Sequence, residues 1–275
     1  MSASWKISWI SLLSLAILAI LYLVINFFIG FREPGADATD AITEETILFA
    51  SVDDTRQFVL KLSGSNTLWK ALQQIPEINE LNRIIHYYDS LALKQYRINE
   101  LLSMQKMVLA LDLAENGEII PFFIIELPDG DWENAVNDFF RETSGEQSLI
   151  LEKSYQELDY TVVNLRKPAT LLYLAIYRGL IVMTTDESCF KGIIDHLNEG
   201  NPVSMDASFS KVSTTAGKNV DANIYLNFQN FANWVTKFFK EDHRDFVNRL
   251  EYFAKWTETD LTLLDQEILL NGYTV

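Results

Sequence analysis

The run from Ile7 to Ile29 constrains this chain more than any other stretch. Its 23 residues carry no charge, and Ser8, Ser11, Ser14 and Asn26 are its polar interruptions. As a helix it would span about 35 Å at about 1.5 Å per residue, enough to cross a hydrocarbon core of about 30 Å with some tilt. Trp5 and Trp9 fall near the first interface, where amphipathic rings prefer to sit, and Tyr22 adds a third such ring. Soluble helices are seldom this long and this uniformly apolar. A cleaved signal peptide is the rival, because Ala36-Asp37-Ala38 has the small-x-small form of a cleavage site. The apolar run exceeds the usual signal core of about 7–15 residues, and Arg32, Glu33 and Pro34 separate it from that site. The expectation is an uncleaved signal anchor.

The flanks orient the anchor. Lys6 and the free amino terminus precede it, while Glu33, Asp37, Asp40, Glu44 and Glu45 follow it, with Arg32 the one nearby exception. Positive flanks stay cytoplasmic, so the bulk is expected outside a bacterial inner membrane, in a single-pass arrangement. The net charge of −16 repels phosphate backbones, so nucleic acid is not an expected partner. Cys189 is the one cysteine, so no intramolecular disulfide forms and the fold must rest on its core.

Four segments follow from this reading: an anchor (1–30), a polar linker (31–43), an α+β domain (44–216), and residues 217–275. This last segment is either a second repeat unit, incomplete at Val275, or strands completing the first sheet. The expected fold class is an α+β domain of hairpin-built antiparallel sheet with helices packed on it. Thr46 to Val52 reads as a buried strand, with Asp53 and Asp54 as caps for the following helix. Pro76 opens one long helix to about Ser103, since Ile78, Leu81, Ile85, Tyr88 and Leu91 recur at spacings of three and four. Met107 to Leu113 and Ile119 to Leu127 form a hairpin about Asn116-Gly117, which predicts a tight type I′ turn. Pro121 within the second strand predicts an edge or a bulge. Strands at Leu158 to Leu165, Leu171 to Tyr177 and Leu180 to Thr185 precede a helix capped by Asp186 and stopped by Gly200. Asn223 to Phe228 is a strand, Phe231 to Ala254 a helix, and Thr259 to Tyr273 a hairpin. The order strand, helices, hairpin thus occurs twice.

That order also resembles a known family. The apolar N-terminal helix, the strand in ILFASVDD, the segment KLSGSNTLWKAL (Lys61 to Leu72), the long helix and the hairpin resemble a bacterial envelope family of unknown function. Its members are single-pass membrane-anchored proteins, commonly longer than this chain. The resemblance covers roughly the first half well and the NGYTV ending loosely. It implies an extracytoplasmic location and an α+β repeat domain, and it carries no site residues.

Candidate chemistry is sparse. His86, His196 and His243 have no metal-type partners at helical spacing. Ser63-Gly64-Ser65 lacks the strand-to-helix setting of a nucleophile and reads as a loop with a cap. Cys189 sits in the first turn of a helix, where a thiolate would be stabilised, but a lone cysteine is usually a small core residue. Asp53-Asp54 and Asp129-Gly130-Asp131 are explained by capping and turn chemistry. The aromatic face of Phe231, Trp234, Phe238, Phe246, Leu250 and Phe253 reads first as a helix packed on a sheet, and second as a binding surface. No catalytic, cofactor-binding or metal residue is assigned, and no cofactor. The expected function is a membrane-tethered binding or assembly domain with an envelope protein partner. The alternatives are an envelope enzyme whose site assembles only in three dimensions, and an apolar-ligand carrier. A pocket of converging polar groups favours the enzyme, a deep apolar cavity the carrier, and a filled core with an exposed aromatic patch the binding module.

Overall fold

The structure is a computed structural model that describes residues 35–64, 66–114, 116–128, 132–144, 150–166, 169–239 and 249–274. The apolar run from 7 to 29, its flanks through Pro34, the Asp129–Asp131 turn and His243 lie outside the described residues. Among the described residues no helix is long and apolar enough to cross a membrane.

Residues 36–275 form one compact unit. Its strands are β1 (Thr46–Val52), β2 (Met107–Leu113), β3 (Ile119–Glu126), β4 (Ile150–Tyr155), β5 (Leu158–Arg166), β6 (Ala169–Tyr177), β7 (Leu180–Thr184), β8 (Ala222–Asn227), β9 (Trp256–Leu263) and β10 (Ile268–Thr274). They build one ten-stranded sheet in the order β10-β9-β8-β1-β2-β3-β7-β6-β5-β4. Every neighbouring pair is antiparallel. The α+β class and its antiparallel sheet are therefore as expected.

The helices are α1 (Thr55–Gly64), α2 (Thr67–Leu72), α3 (Pro76–Ala92), α4 (Tyr96–Met104), α5 (Glu133–Ser144), α6 (Glu187–Glu199), α7 (Ala207–Ser213) and α8 (Phe228–Thr236). Both sheet faces are covered. On one face Phe49, Ala110, Phe122, Val162, Val182 and Tyr225 meet α6 and α7 through Phe190, Ile193, Ile194, Phe209 and Val212. The ring of Phe49 stacks on Tyr225 at 4.6 Å, and Phe209 meets Trp256 edge-on at 5.4 Å. On the other face Ile125, Leu174 and Ile181 meet α3, α4 and α5 through Ala92, Ile98, Leu101, Val136 and Phe139. This two-sided burial explains why β2 reads as a near-continuous apolar run rather than a clean alternation.

The segments 44–216 and 217–275 do not separate, because β8 pairs with β1 and sets Tyr225 against Phe49. The strands β1-β2-β3 run outward on one side of that pair and β8-β9-β10 on the other. The repeated order of the sequence is therefore laid out about the β1–β8 junction. The linker is also shorter than expected: Ala38, Ala41 and Ile42 belong to the core and are at most 1% exposed. A short 3-10 turn at Ala38–Ala41 places them there, capped by Asp37.

Several elements depart from the sequence reading. The helix expected from 76 to 103 is two helices, broken at Leu93–Gln95. The break turns Ile98 and Leu101 of α4 into the same apolar cluster as Ala92 of α3, which one straight rod would overrun. Helix α8 begins at Phe228 and ends at Thr236, well short of Ala254; residues 240–248 lie outside the described residues. The Asn116-Gly117 turn is not type I′. Gly117 has φ 85° whereas Asn116 is not among the positive-φ residues, Gly117 N donates to Ala114 O, and Ala114 N donates to Glu118 O. Those bonds define a three-residue loop with glycine at its left-handed position. Both central residues are left-handed instead at Gln156-Glu157 (φ 47° and 67°) and Arg178-Gly179 (φ 52° and 77°). Pro121 sits in an internal strand, but its ladder partner is Leu111 on β2 alone, since pairing with β7 starts at Phe122. It is locally an edge.

Candidate functional site

An open cleft of about 960 Å³ lies between the β2–β3 loop, the start of β1 and helix α6. Its position follows from local chemistry. Asp186 accepts a bond from Cys189 N and starts α6, and Gly200 at φ 68° ends it. Phe190, Ile193, Ile194 and Leu197 pin the helix to the sheet, which leaves Ser188, Cys189, Gly192, Asp195, His196 and Glu199 along the cleft. Opposite them, Glu118, Ile119, Ile120 and Pro121 come from β3 and its loop.

The lining is acidic. Glu44, Glu45, Asp112, Glu118, Asp186, Asp195 and Glu199 contribute carboxylates, and no lysine or arginine lines the cleft among the described residues. None of these seven is ion-paired within the described residues, whereas Asp37, Asp89, Asp206, Asp221, Glu126 and Glu187 all are. Asp195 is held by Tyr155 Oη at 3.0 Å and Gln156 Nε2 at 2.9 Å. Seven carboxylates around one opening, none ion-paired among the described residues, focus a negative field there, which raises the local concentration of cationic groups.

Asp112 sits at the floor and is 6% exposed. It accepts from Thr46 Oγ1 at 2.6 Å, Thr43 Oγ1 at 3.0 Å and Cys189 Sγ at 3.8 Å. Burial pushes its carboxyl up to about 6 despite the two hydroxyl donors, and the charge of Glu45 adds to the rise. Burial and the neighbouring Asp112 charge also push the Cys189 thiol up to about 12. The helix-terminus stabilisation expected for a Cys189 thiolate is therefore outweighed, and the group is a resting thiol at neutral pH.

His196 lines the same cleft, with Nε2 buried and without a hydrogen-bond partner. His86 is exposed on α3. Asp54 caps α1 through Gln57 N at 2.8 Å, as the capping reading required; Ser63 and Gly64 belong to α1 rather than to a loop, and the cap of α2 is Asn66, which accepts from Trp69 N. No cluster of His, Cys, Asp and Glu fit for a metal occurs among the described residues.

A second polar cluster lies beneath β8 and β9. Glu258 is 1% exposed and faces Asn223, Thr215 and Asp260. Burial, then a hydrogen bond with Asp260 and its charge, push Glu258 up to about 7. Asp260 takes bonds from Asn223 Nδ2 and Gly217 N, both at 2.8 Å. A Cβ on Gly217 would lie 2.6 Å from Asp260 Oδ2, so a larger residue there would displace that carboxylate.

The aromatic stripe divides. Ala232 is buried, Phe231 and Trp234 are half-buried, and α8 packs on the sheet. Beyond it Phe238 and Phe253 are exposed, and Phe253 meets Phe228 at 5.5 Å. Sequence reasoning found Cys189 and His196 individually but missed Asp112 and Glu258. Asp112 stands alone in its strand and becomes a polar centre through partners more than sixty residues away, whereas Glu258 joins Asp260, two residues along β9, to Asn223 and Thr215 from more than thirty residues away.

No family model, curated protein or solved structure matches the chain.

Proposed function

We propose that the chain is a membrane-tethered binding module of a bacterial inner membrane, held by its 7–29 helix, with an extracytoplasmic cleft that takes a lysine- or arginine-rich segment of a partner protein. The observation that carries this reading is the cleft of about 960 Å³ with seven carboxylates and no cationic lining residue among those described. Its volume is near the upper end of ligand sites, about 300–1,000 Å³, which suits several side chains rather than one ion. The apolar 7–29 run and its charge flanks support the tether. An extracytoplasmic acidic cleft of this kind selects partners by charge and speeds their encounter. The enzyme reading gains converging polar groups but no activated nucleophile from Cys189, whose thiol is raised to about 12.

A direct test titrates a fluorescent penta-lysine peptide onto the full chain in nanodiscs. Expected is binding that weakens as salt rises and drops several-fold in Glu45→Gln/Glu118→Gln/Glu199→Gln. A control triple, Glu142→Gln/Glu152→Gln/Asp159→Asn, removes the same charge elsewhere. Equal losses from the two triples would reduce the effect to net charge and overturn the assignment.

A further inference from the structure

Glu258 and Asp260 lie two residues apart on β9 and meet the loop after α7, residues 214–221, on one face of the sheet. Donor supply decides how they are held. Asn223 Nδ2 has two protons and three acceptors: Asp260 Oδ1 at 2.8 Å, Gly217 O at 3.2 Å and Glu258 Oε1 at 3.4 Å. Thr215 Oγ1 has one proton, which Val212 O takes at 2.7 Å, while Glu258 Oε2 stands off at 3.5 Å. Glu258, 1% exposed, is thus left without a donor of its own. An ionised carboxylate so placed is costly, whereas a protonated one donates to Asp260. The surroundings supply no positive charge instead. Tyr225 of β8 and Tyr273 of β10 stand opposite Glu258, and Asn223 and Asn271 stand opposite Asp260. Lys211 and Lys218 are exposed and pair with neither carboxyl among the described residues, while Lys61 and Lys255 are engaged by Asp221 and Asp206. The further charges acting on Tyr225, Asp53 and Asp37, are negative.

We propose that Glu258 and Asp260 share one proton, and that this proton is a latch holding loop 214–221 on the sheet until rising pH removes it. The ends of the loop are fixed without it. Phe209 and Val212 bury α7, and Asp221 accepts from Lys61 Nζ at 2.6 Å and Leu263 N at 2.7 Å. The middle is tied through Gly217, whose N donates to Asp260 and whose O accepts from Asn223, with Ala216 packed on the core. Once the proton leaves, two like charges adjoin beneath the loop with donors enough for one. Lifting the middle of the loop admits water to both carboxylates and relieves the repulsion. Glu258 is held up at about 7 while the loop is closed, so opening returns it to the ordinary carboxyl range and releases the proton. Opening therefore grows as pH climbs from that range through about 7 and levels off above it.

The experiment follows backbone hydrogen exchange of the full chain in detergent, with rates divided by those of an unstructured chain at the same pH. Protection across 214–221 is expected to fall roughly tenfold or more between pH 5 and 7. It is expected to do so without denaturant dependence and to stay below the protection of residues 108–110 in β2. Glu258→Gln keeps a neutral donor toward Asp260 and is expected to hold the protection of the loop constant over that range. Gly217→Ala touches no titrating group, but its Cβ would lie 2.6 Å from Asp260 Oδ2, and the loop is expected to exchange fast at every pH. Loop protection that is flat from pH 5 to 7, that tracks β2 at every pH, that falls equally in Glu258→Gln or that is unchanged by Gly217→Ala would overturn the proposal.

Discussion

Two buried carboxylates define the chemistry of this molecule at the scale of single residues. Asp112 is raised from 3.8 to about 6 by burial, and Glu258 from 4.5 to about 7 by burial and Asp260. A raised carboxylate favours the folded state below its unfolded pKa and loses that advantage as pH climbs through its folded value. For Asp112 the shift corresponds to about 3 kcal/mol of linked stability. Glu187, held low by hydrogen bonds from Tyr160 and Lys191, acts in the opposite direction, but its contribution is lost in acid below the ordinary carboxylate range. Thermal stability is therefore expected to fall between pH 5 and 8, where the lowered carboxylates are already ionised. Asp112→Asn and Glu258→Gln should each flatten that slope, as read by calorimetry across the range. A wild-type profile flat from pH 5 to 8 would contradict the assignment. The sequence concealed both groups for a physical reason. In Met107–Leu113 both strand faces are apolar, so alternation does not mark Asp112 as inward-facing. Its hydroxyl partners Thr43 and Thr46 lie more than sixty residues away.

Among the elements, local chemistry was most legible at helix ends and least legible at turns. Asp54, Asp186 and Gly200 act as caps and a stop where side-chain type alone placed them. The Asn116-Gly117 signal located its hairpin but not its turn type, because loop length is set by how the two strands register. Met107 pairs with Ile125 and Leu113 with Ile119, and the bond from Ala114 N to Glu118 O extends the ladder by one pair, which leaves three residues in the loop. Only Gly117 of the pair then needs the left-handed conformation, at φ 85°. Gly117→Val should destabilise the fold by about 1–2 kcal/mol, the usual cost of a side chain there. Asn116→Ala should cost less, about 0.5–1 kcal/mol, because it gives up the bond from Glu118 N to Asn116 Oδ1. Chemical denaturation of the two variants decides the matter, and equal large losses would restore the type I′ turn. The split of the 76–103 helix was invisible for a related reason. Its apolar spacing is continuous, and the break is imposed by packing against Trp132, Val136 and Phe139.

For the whole molecule, the repeated order of strand, helices and hairpin was visible in the sequence, but the junction that unites its two halves was not. Phe49 and Tyr225 are 176 residues apart and carry no mark of their pairing. The resulting sheet forms one layer between two sets of helices, with the acidic cleft on the α6 face and the uncharged β10 edge at one end. We propose that this cleft faces the extracytoplasmic side of a membrane and takes cationic partners. Asn201 lines the cleft and is exposed, so it can report on both parts at once. The measurement is the labelling rate of Asn201→Cys, in a Cys189→Ser background, by a membrane-impermeant maleimide in intact spheroplasts. Prompt labelling from outside and marked slowing by penta-lysine at low salt are expected. Labelling that begins only after the inner membrane is breached, or a rate indifferent to the peptide, would contradict it.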